Sequence, residues 1–227
     1  MAVRVYQSGS FHLLAGAKVY HSGAWVTLPA TAKVYLSNAW HYLGNVSSEA
    51  VVSSYHTVNV SSGWVYVDTT INPGARLIVS NGGTAINPET QCAETIYNQD
   101  GISEHDYGKL ILSGGTAYNP VISGGEMIVS NGGYAQNVTV SAPNVYNPMN
   151  NYTYHHGSLT VESGGKVDRM HINAFGRMTI YSGGTATNVI CDTDSYLYVE
   201  PGGTALNVTS RNGAEIIIAN GGTITYA

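Results

Sequence analysis

Charged residues are scarce in this chain of 227 residues, where only 10% are Asp, Glu, Lys or Arg. An ordinary globular domain has roughly 25%. The 9 basic residues are outnumbered by 14 acidic ones, and the net charge is -5. Nucleic acids and anionic membranes bind clusters of Lys and Arg. We therefore expect no nucleic-acid partner and no membrane partner.

Cysteines and long apolar runs are also few or missing. Two cysteines are too few for a disulfide framework. No run of 18 apolar residues predicts a membrane-spanning helix, and the start MAVRVYQSGSFHLL does not have the basic and apolar regions of a signal peptide. We expect a folded chain without membrane insertion, because 43% of its residues are hydrophobic.

Glycine is abundant, with 27 residues, and it recurs in regularly spaced Gly-Gly pairs. The pairs that begin at Gly164, Gly183, Gly202 and Gly221 follow one another at intervals of 19 residues. Earlier intervals of 32 residues equal one such repeat plus 13 inserted residues. A degenerate copy begins at Val58, so that about eight units cover the chain from residue 58 to 227.

Each unit alternates apolar and polar residues before its Gly-Gly pair, which predicts a strand with one buried face. A Thr-Ala-x-Asn segment and a second short strand follow. A unit of this kind cannot bury its apolar face alone, so neighbouring units must stack. The sequence therefore predicts an all-β chain whose main part is a parallel β-solenoid (β-helix) with about 19 residues per coil. The expected inward residues are Leu77, Val79, Leu110, Leu112, Met127, Val129, Leu159, Val161, Met178, Ile180, Leu197, Val199, Ile216 and Ile218.

An asparagine recurs four residues after the second glycine of most units. We interpret this row as an internal ladder that bonds the backbone of the corners, and not as a catalytic feature. Cys92 and Cys191 lie four coils apart, roughly 19 Å at the usual strand spacing. A disulfide needs Cα atoms within about 7 Å, so we expect two free thiols.

The spacing of these repeats resembles that of AIDA-type autotransporter adhesin passengers. The resemblance covers about residues 58–227 and implies a right-handed β-helix displayed on a bacterial surface. A related repeat binds calcium through an Asp in each Gly-rich turn. Here those turns carry Thr and Ala, so calcium in the turns is not expected.

The N-terminal section, residues 1–57, contains three copies of a different unit, at 3–14, 17–28 and 32–43. Each has a Val-Tyr pair, a small-residue turn and an aromatic residue, which predicts one β-hairpin per copy. The pattern K-V-Y-x-S-G-x-W resembles segments of bacteriophage tail and minor structural proteins. This module is expected to cap the solenoid or to dock it onto other particle proteins.

Two insertions, within 88–108 and 141–157, fall at the same place in two different coils. Long loops on a rigid scaffold are commonly functional. Their aromatic and polar side chains suit a cell-surface glycan, although the loops could instead pack on each other or on a neighbouring subunit. The candidate ligand-binding residues are Tyr97, His105, Asp106, Tyr107, Tyr146, Asn150, Asn151, Tyr152, Tyr154, His155 and His156. Adjacent histidines rarely ligate one ion together, so we predict no metal and no cofactor.

An outward row begins with Ile78, Ile111 and Ile128, an apolar stripe that a monomer seldom leaves in contact with water. The N-terminal module, a loop or another subunit should cover it. Tail fibres that resemble this chain are often trimers, so we expect a homotrimer with the stripe in its interface.

No paired carboxylates recur on a strand face, and we predict no enzymatic activity. The expected function is a non-enzymatic structural or receptor-binding component of a phage tail or tail-like particle, located in a virion or extracellular particle released by lysis. The alternative is a bacterial surface adhesin of the autotransporter-passenger type. A polysaccharide-active β-helix enzyme comes third.

Overall fold

The computed structural model describes residues 51–92, 106–142 and 156–227 in full, and seven further short strands within 18–48 and 144–154 by their backbone. The strands, in chain order, are β1 (Lys18–His21), β2 (Ala24–Thr27), β3 (Lys33–Leu36), β4 (Ala39–Tyr42), β5 (Val46–Ser48), β6 (Val51–Val52), β7 (Thr57–Val60), β8 (Val65–Val67), β9 (Thr70–Ile71), β10 (Arg76–Ser80), β11 (Thr84–Ile86), β12 (Glu89–Thr90), β13 (Lys109–Ser113), β14 (Thr116–Tyr118), β15 (Val121–Ser123), β16 (Glu126–Ser130), β17 (Tyr134–Ser141), β18 (Asn144–Val145), β19 (Thr153–Tyr154), β20 (Ser158–Val161), β21 (Lys166–Ile172), β22 (Arg177–Ile180), β23 (Thr185–Cys191), β24 (Tyr196–Val199), β25 (Thr204–Ser210), β26 (Glu215–Ile218) and β27 (Thr223–Tyr226). None of the described residues forms a helix that is long and apolar enough to span a membrane.

The chain winds into a parallel β-solenoid, as the repeat predicts. One sheet contains eight parallel strands in the order β26-β24-β22-β20-β16-β13-β10-β7. The second sheet runs β27-β25-β23-β21-β17-β14-β11-β8-β5, with β6, β9, β12 and β15 paired alongside its earlier strands. Equivalent residues of successive coils pair in register, such as Leu77 with Leu110 and Leu110 with Met127. The prediction of about eight coils of about 19 residues is confirmed.

Two of the coils that give the second sheet two strands contain a proline at the division, whereas β8 and β9 divide at Asp68 and Thr69 without one. In the later coils a single strand of seven or eight residues crosses the Asn corner, as in β17 and β21. In two earlier coils Pro88 and Pro120 follow the corner asparagine, and the strand divides there into β11 and β12, and into β14 and β15. Proline has no N–H to donate to the neighbouring strand, so it interrupts the pairing.

The core is a column of inward side chains that runs through the stacked coils. From Leu77 to Val199 all the predicted inward residues have at most 1% of their surface exposed. Small alanines such as Ala117 and Ala186 are fully buried on the second sheet, where the coil is narrow. The prediction is wrong for Ile218, which is 40% exposed, because its strand β26 lies at the edge of the eight-stranded sheet.

Two of the predicted N-terminal hairpins are present as the antiparallel pairs β1–β2 and β3–β4. The copy at 3–14 lies outside the described residues. Parallel pairing with the solenoid starts at Val46, where β5 pairs with β8, and therefore earlier than the expected boundary at residue 58. Cys92 and Cys191 are both free thiols, the first half-buried and the second buried. Burial raises the pKa of Cys191 to about 11.

Candidate functional site

The corner in the second sheet is built by residues with left-handed backbone. Asn87, Asn119, Asn137, Asn188 and Asn207, here called the Asn row, have φ between 51° and 56°. Asparagine tolerates this conformation better than most residues because its short polar side chain bonds locally. The repeated asparagine therefore turns these five coils at the same point.

The Asn row is an external ladder. Asn119 Nδ2 donates to Asn87 Oδ1 over 3.0 Å, and Asn137 Nδ2 donates to Asn119 Oδ1 over 2.9 Å. Farther along, Asn207 Nδ2 donates to Asn188 Oδ1 over 2.6 Å. All five side chains are exposed. The prediction of an internal ladder bonded to the backbone is wrong, because left-handed corner residues point their side chains outward and toward one another.

Arg169 interrupts this row. It occupies the corner of the coil between Asn137 and Asn188, with a φ of 55°. The preceding coil offers Asn188 no corner asparagine, and Asn188 Nδ2 donates instead to Asp168 Oδ1, over 2.8 Å. The row is thereby divided into two parts with a cation between them.

A shallow groove of about 410 Å³ runs beside the divided row. It crosses four coils, a length of about 15 Å at the usual spacing of parallel strands. Apolar surface, including that of Ile190, which is 40% exposed, makes up more of its wall than polar surface, and amide, hydroxyl and imidazole groups recur along it. The lining residues are Asn137, Val138, Thr139, Arg169, Met170, His171, Asn188, Ile190, Asn207 and Thr209.

Asp168 anchors the side chains next to the groove. Besides Asn188, it accepts hydrogen bonds from Gln136 Nε2 at 3.2 Å, Arg169 Nε at 3.1 Å and Thr187 Oγ1 at 3.0 Å. Desolvation raises the pKa of Asp168, but the four hydrogen bonds, led by that of Asn188, outweigh it and lower the pKa to about 2. The carboxylate is therefore ionised at neutral pH and fixes the positions of its four donors.

A second charged cluster lies along the later coils. Asp192 Oδ2 is 3.0 Å from His171 Nε2, and its Oδ1 is 2.9 Å from Arg211 Nη1. His171 lines the groove, so the carboxylate of Asp192 lies next to the imidazole at the groove wall. Both carboxylates near the groove therefore have cationic or amide partners.

The predicted loop residues are divided between described and undescribed parts of the chain. Asp106 accepts a hydrogen bond from Tyr55 Oη at 2.5 Å, and Tyr107 is half-buried, paired through its backbone with Cys92. His156 Nδ1 donates to the Phe175 carbonyl over 2.6 Å. Of Tyr154 the backbone alone is described, in β19. The remaining candidates lie outside the described residues: Tyr97, His105, Tyr146, Asn150, Asn151, Tyr152 and His155.

The two loop bases lie at the same corner of the rod. Gly108 N donates to Gln91 O at the first loop, and Gly157 N donates to Ser141 O at the second. One coil, which contains β15, separates them. Thr139, which lines the groove, lies in β17, the strand that precedes the second loop. Within the described ranges no group of three His, Cys, Asp or Glu side chains is placed to hold a metal ion.

The apolar stripe lies on the outer face of the eight-stranded sheet. Ile78, Ile111 and Ile128 occupy adjacent strands in register. All three side chains are half-buried. The stripe thus spans three adjacent strands, on a different sheet from the groove.

Comparisons with known proteins find similarity among solved structures. No protein-family model matches the chain, and neither does any curated protein sequence. Among solved structures, the chain resembles the TibC-catalysed hyper-glycosylated TibA55-350 fragment, at 21% sequence identity and a TM-score of 0.38. The alignment covers 80% of this chain and 75% of that chain.

Sequence reasoning missed the groove, although one signal was present. Aligning the repeats places Arg169 where the other units carry asparagine. That departure marks the centre of the groove wall. Nothing in the repeat pattern singles out His171, because only the stacking of coils places it beside Ile190 in the groove wall.

Proposed function

We propose that the protein is a non-enzymatic surface adhesin of the autotransporter-passenger type that binds a glycan along the groove. The observation that carries the proposal is the groove itself, in which amide and hydroxyl side chains recur from coil to coil. A linear saccharide presents hydroxyl groups at regular intervals, and amides can both donate and accept hydrogen bonds. A rigid solenoid holds these groups in place before binding, which lowers the entropy lost on association.

The repeat resemblance to AIDA-type passengers supports the adhesin over the phage-tail component, since it covers most of the chain. The tail assignment depends on the short N-terminal units alone and stays a prediction. Location on a bacterial surface is part of the same proposal. The absence of catalysis is proposed because Asp168 and Asp192 are both occupied in fixing neighbouring side chains.

Glycan binding through the groove is tested with Ile190→Arg, which places a long side chain in the groove without disturbing the core. We expect this variant to lose at least about tenfold in affinity on a glycan array, which corresponds to about 1.4 kcal/mol. Tyr181→Arg is the matched control, because Tyr181 is 45% exposed and does not line the groove. Both variants should unfold at temperatures close to that of the wild type.

Three outcomes would contradict the proposal. Loss of binding in Tyr97→Ala or Tyr152→Ala, with none in Ile190→Arg, would move binding to the loops. Release of reducing sugar from a bound polysaccharide would identify an enzyme. Binding of labelled protein to bacterial envelopes, but not to the cells that bacteria colonise, would favour the tail component.

A further inference from the structure

Arg169 has a backbone conformation that its residue type does not favour. At the seven corners from Asp68 to Asn207 the other six residues are Asn or Asp, and all seven have positive φ. Left-handed backbone costs free energy for L-residues, and Asn and Asp reduce that cost through local hydrogen bonds. Strained residues tend to occur where a ligand is bound. The position therefore favours asparagine for stability, yet it carries arginine.

The guanidinium group of Arg169 is placed to bind a ligand. Its side chain is 59% exposed and lies against the groove. Nε donates to Asp168 Oδ2, which limits rotation of the planar group. Among the described residues no hydrogen bond or ion pair engages the two terminal nitrogens, and Tyr134 is close enough to interact with Arg169 electrostatically. These nitrogens form the fork that pairs with a carboxylate through two parallel hydrogen bonds.

The charges around the groove leave Arg169 able to attract an anion. Asp168 is the nearest carboxylate, and its negative charge is shared among donors from Gln136, Thr187 and Asn188 as well as Arg169. The other carboxylate, Asp192, lies between His171 and Arg211. Asp168 is thus bound by several donors, and Asp192 lies within ion-pair distance of His171 and Arg211, whereas Arg169 lies at the groove wall.

We propose that Arg169 makes the groove selective for acidic glycans, by binding a carboxylate of a uronic-acid-type sugar. The inference rests on the proposed function and names the ligand class of the same groove. The asparagines on either side, Asn137 and Asn188, contact hydroxyl groups of the neighbouring sugars. Arginine replaces asparagine at this corner because the gain in binding compensates for the strained backbone.

The test compares a galacturonic acid hexasaccharide with a neutral galactose hexasaccharide by calorimetry. Wild-type protein should bind the acidic probe more tightly, and Arg169→Asn should reduce that affinity by roughly tenfold or more, the usual effect of losing a hydrogen bond to a charged group. Arg169→Lys keeps the charge but not the fork, so its affinity should be intermediate. Arg177→Asn removes an exposed arginine from the other sheet and is the control.

A second readout separates a binding role from a structural one. Arg169→Asn should raise the melting temperature, because it relieves the left-handed arginine and joins the two parts of the Asn row. A lower melting temperature, or unchanged affinity for the acidic probe, would overturn the inference. If wild type binds both probes equally and Ile190→Arg abolishes both, the inference fails while the proposed function stands. Binding of neither probe, with no hit on a glycan array, would overturn both.

Discussion

The two glycines of each Gly-Gly pair have different physical roles. The first has left-handed backbone, with a φ of 83° at Gly132 and 75° at Gly164. The second lies against the coil before it: a Cβ built on Gly165 would be 2.1 Å from the Val129 carbonyl oxygen. The first glycine is therefore required by conformation, and the second by the close approach of two backbones.

These two roles predict different costs for alanine. A Cβ on Gly132 meets nothing within 4 Å, so Gly132→Ala should cost only the conformational term of about 1–2 kcal/mol. Gly165→Ala must also push two coils apart, which should add about 1–3 kcal/mol, the usual cost of overpacking. The free energy of unfolding in urea measures both variants. Equal costs would show that the close approach at Gly165 does not resist a methyl group.

At the scale of an element, the carboxylate of Asp168, next to the corner in β21, links this strand to its two neighbours. Asp168 joins three neighbouring coils, because Gln136 donates from β17 and Thr187 and Asn188 donate from β23. These strands are also paired through their backbones. The carboxylate therefore adds side-chain hydrogen bonds to the backbone pairing where the Asn row is divided.

The lowered pKa of Asp168 makes the stability of the region around β21 depend on pH, with a known sign. The pKa of Asp168 is lowered from 3.8 to about 2 in the folded chain, so the native state favours the ionised form. The resulting stability is present above about pH 4 and is lost as the pH falls through about 2. Asp168→Asn should therefore lower the melting temperature at pH 5, and by much less at pH 2.

The matched control is Glu162→Gln, which removes an exposed carboxylate in the turn before Gly164. This change should have a small effect at either pH, because surface charges contribute little to stability. If Asp168→Asn lowers the melting temperature by the same amount at pH 5 and at pH 2, the ionised carboxylate is not the source of the stability.

At the scale of the whole molecule, the rod has two distinct long faces. The second sheet carries the groove, while the eight-stranded sheet carries the stripe of Ile78, Ile111 and Ile128. A stripe of stacked isoleucines favours contact with other apolar surface. The separation of the two faces would let subunits assemble through one while the other binds ligand.

The stripe predicts the mass in solution. We expect light scattering after size exclusion to give three times the chain mass of 24.0 kDa. Ile111→Lys should shift the mass toward one chain, because burying an unpaired charge in an interface is unfavourable. Thr179→Lys is the control, since Thr179 continues the same outward row on β22 beyond the isoleucines. A wild-type monomer would exclude the trimer and leave the stripe to be covered within the chain.

Much of the fold could be predicted from local patterns in the sequence. Alternation before Gly-Gly identified the buried residues from Leu77 to Val199, because the period of two is a property of the strand itself. The asparagine period located the corners but not the direction of their side chains. That direction depends on the sign of φ, which only the paired neighbouring coils fix.

The sequence by itself determined the repeat length, the parallel stacking and the inward rows, since each follows from spacing within one unit. Only the tertiary structure decided which side chains of different coils meet. Arg169 and Asn188 are neighbours because one coil stacks on the next, and the groove is formed by residues from four coils. The candidate site depends on that stacking, because no single unit contains enough of its wall to reveal it.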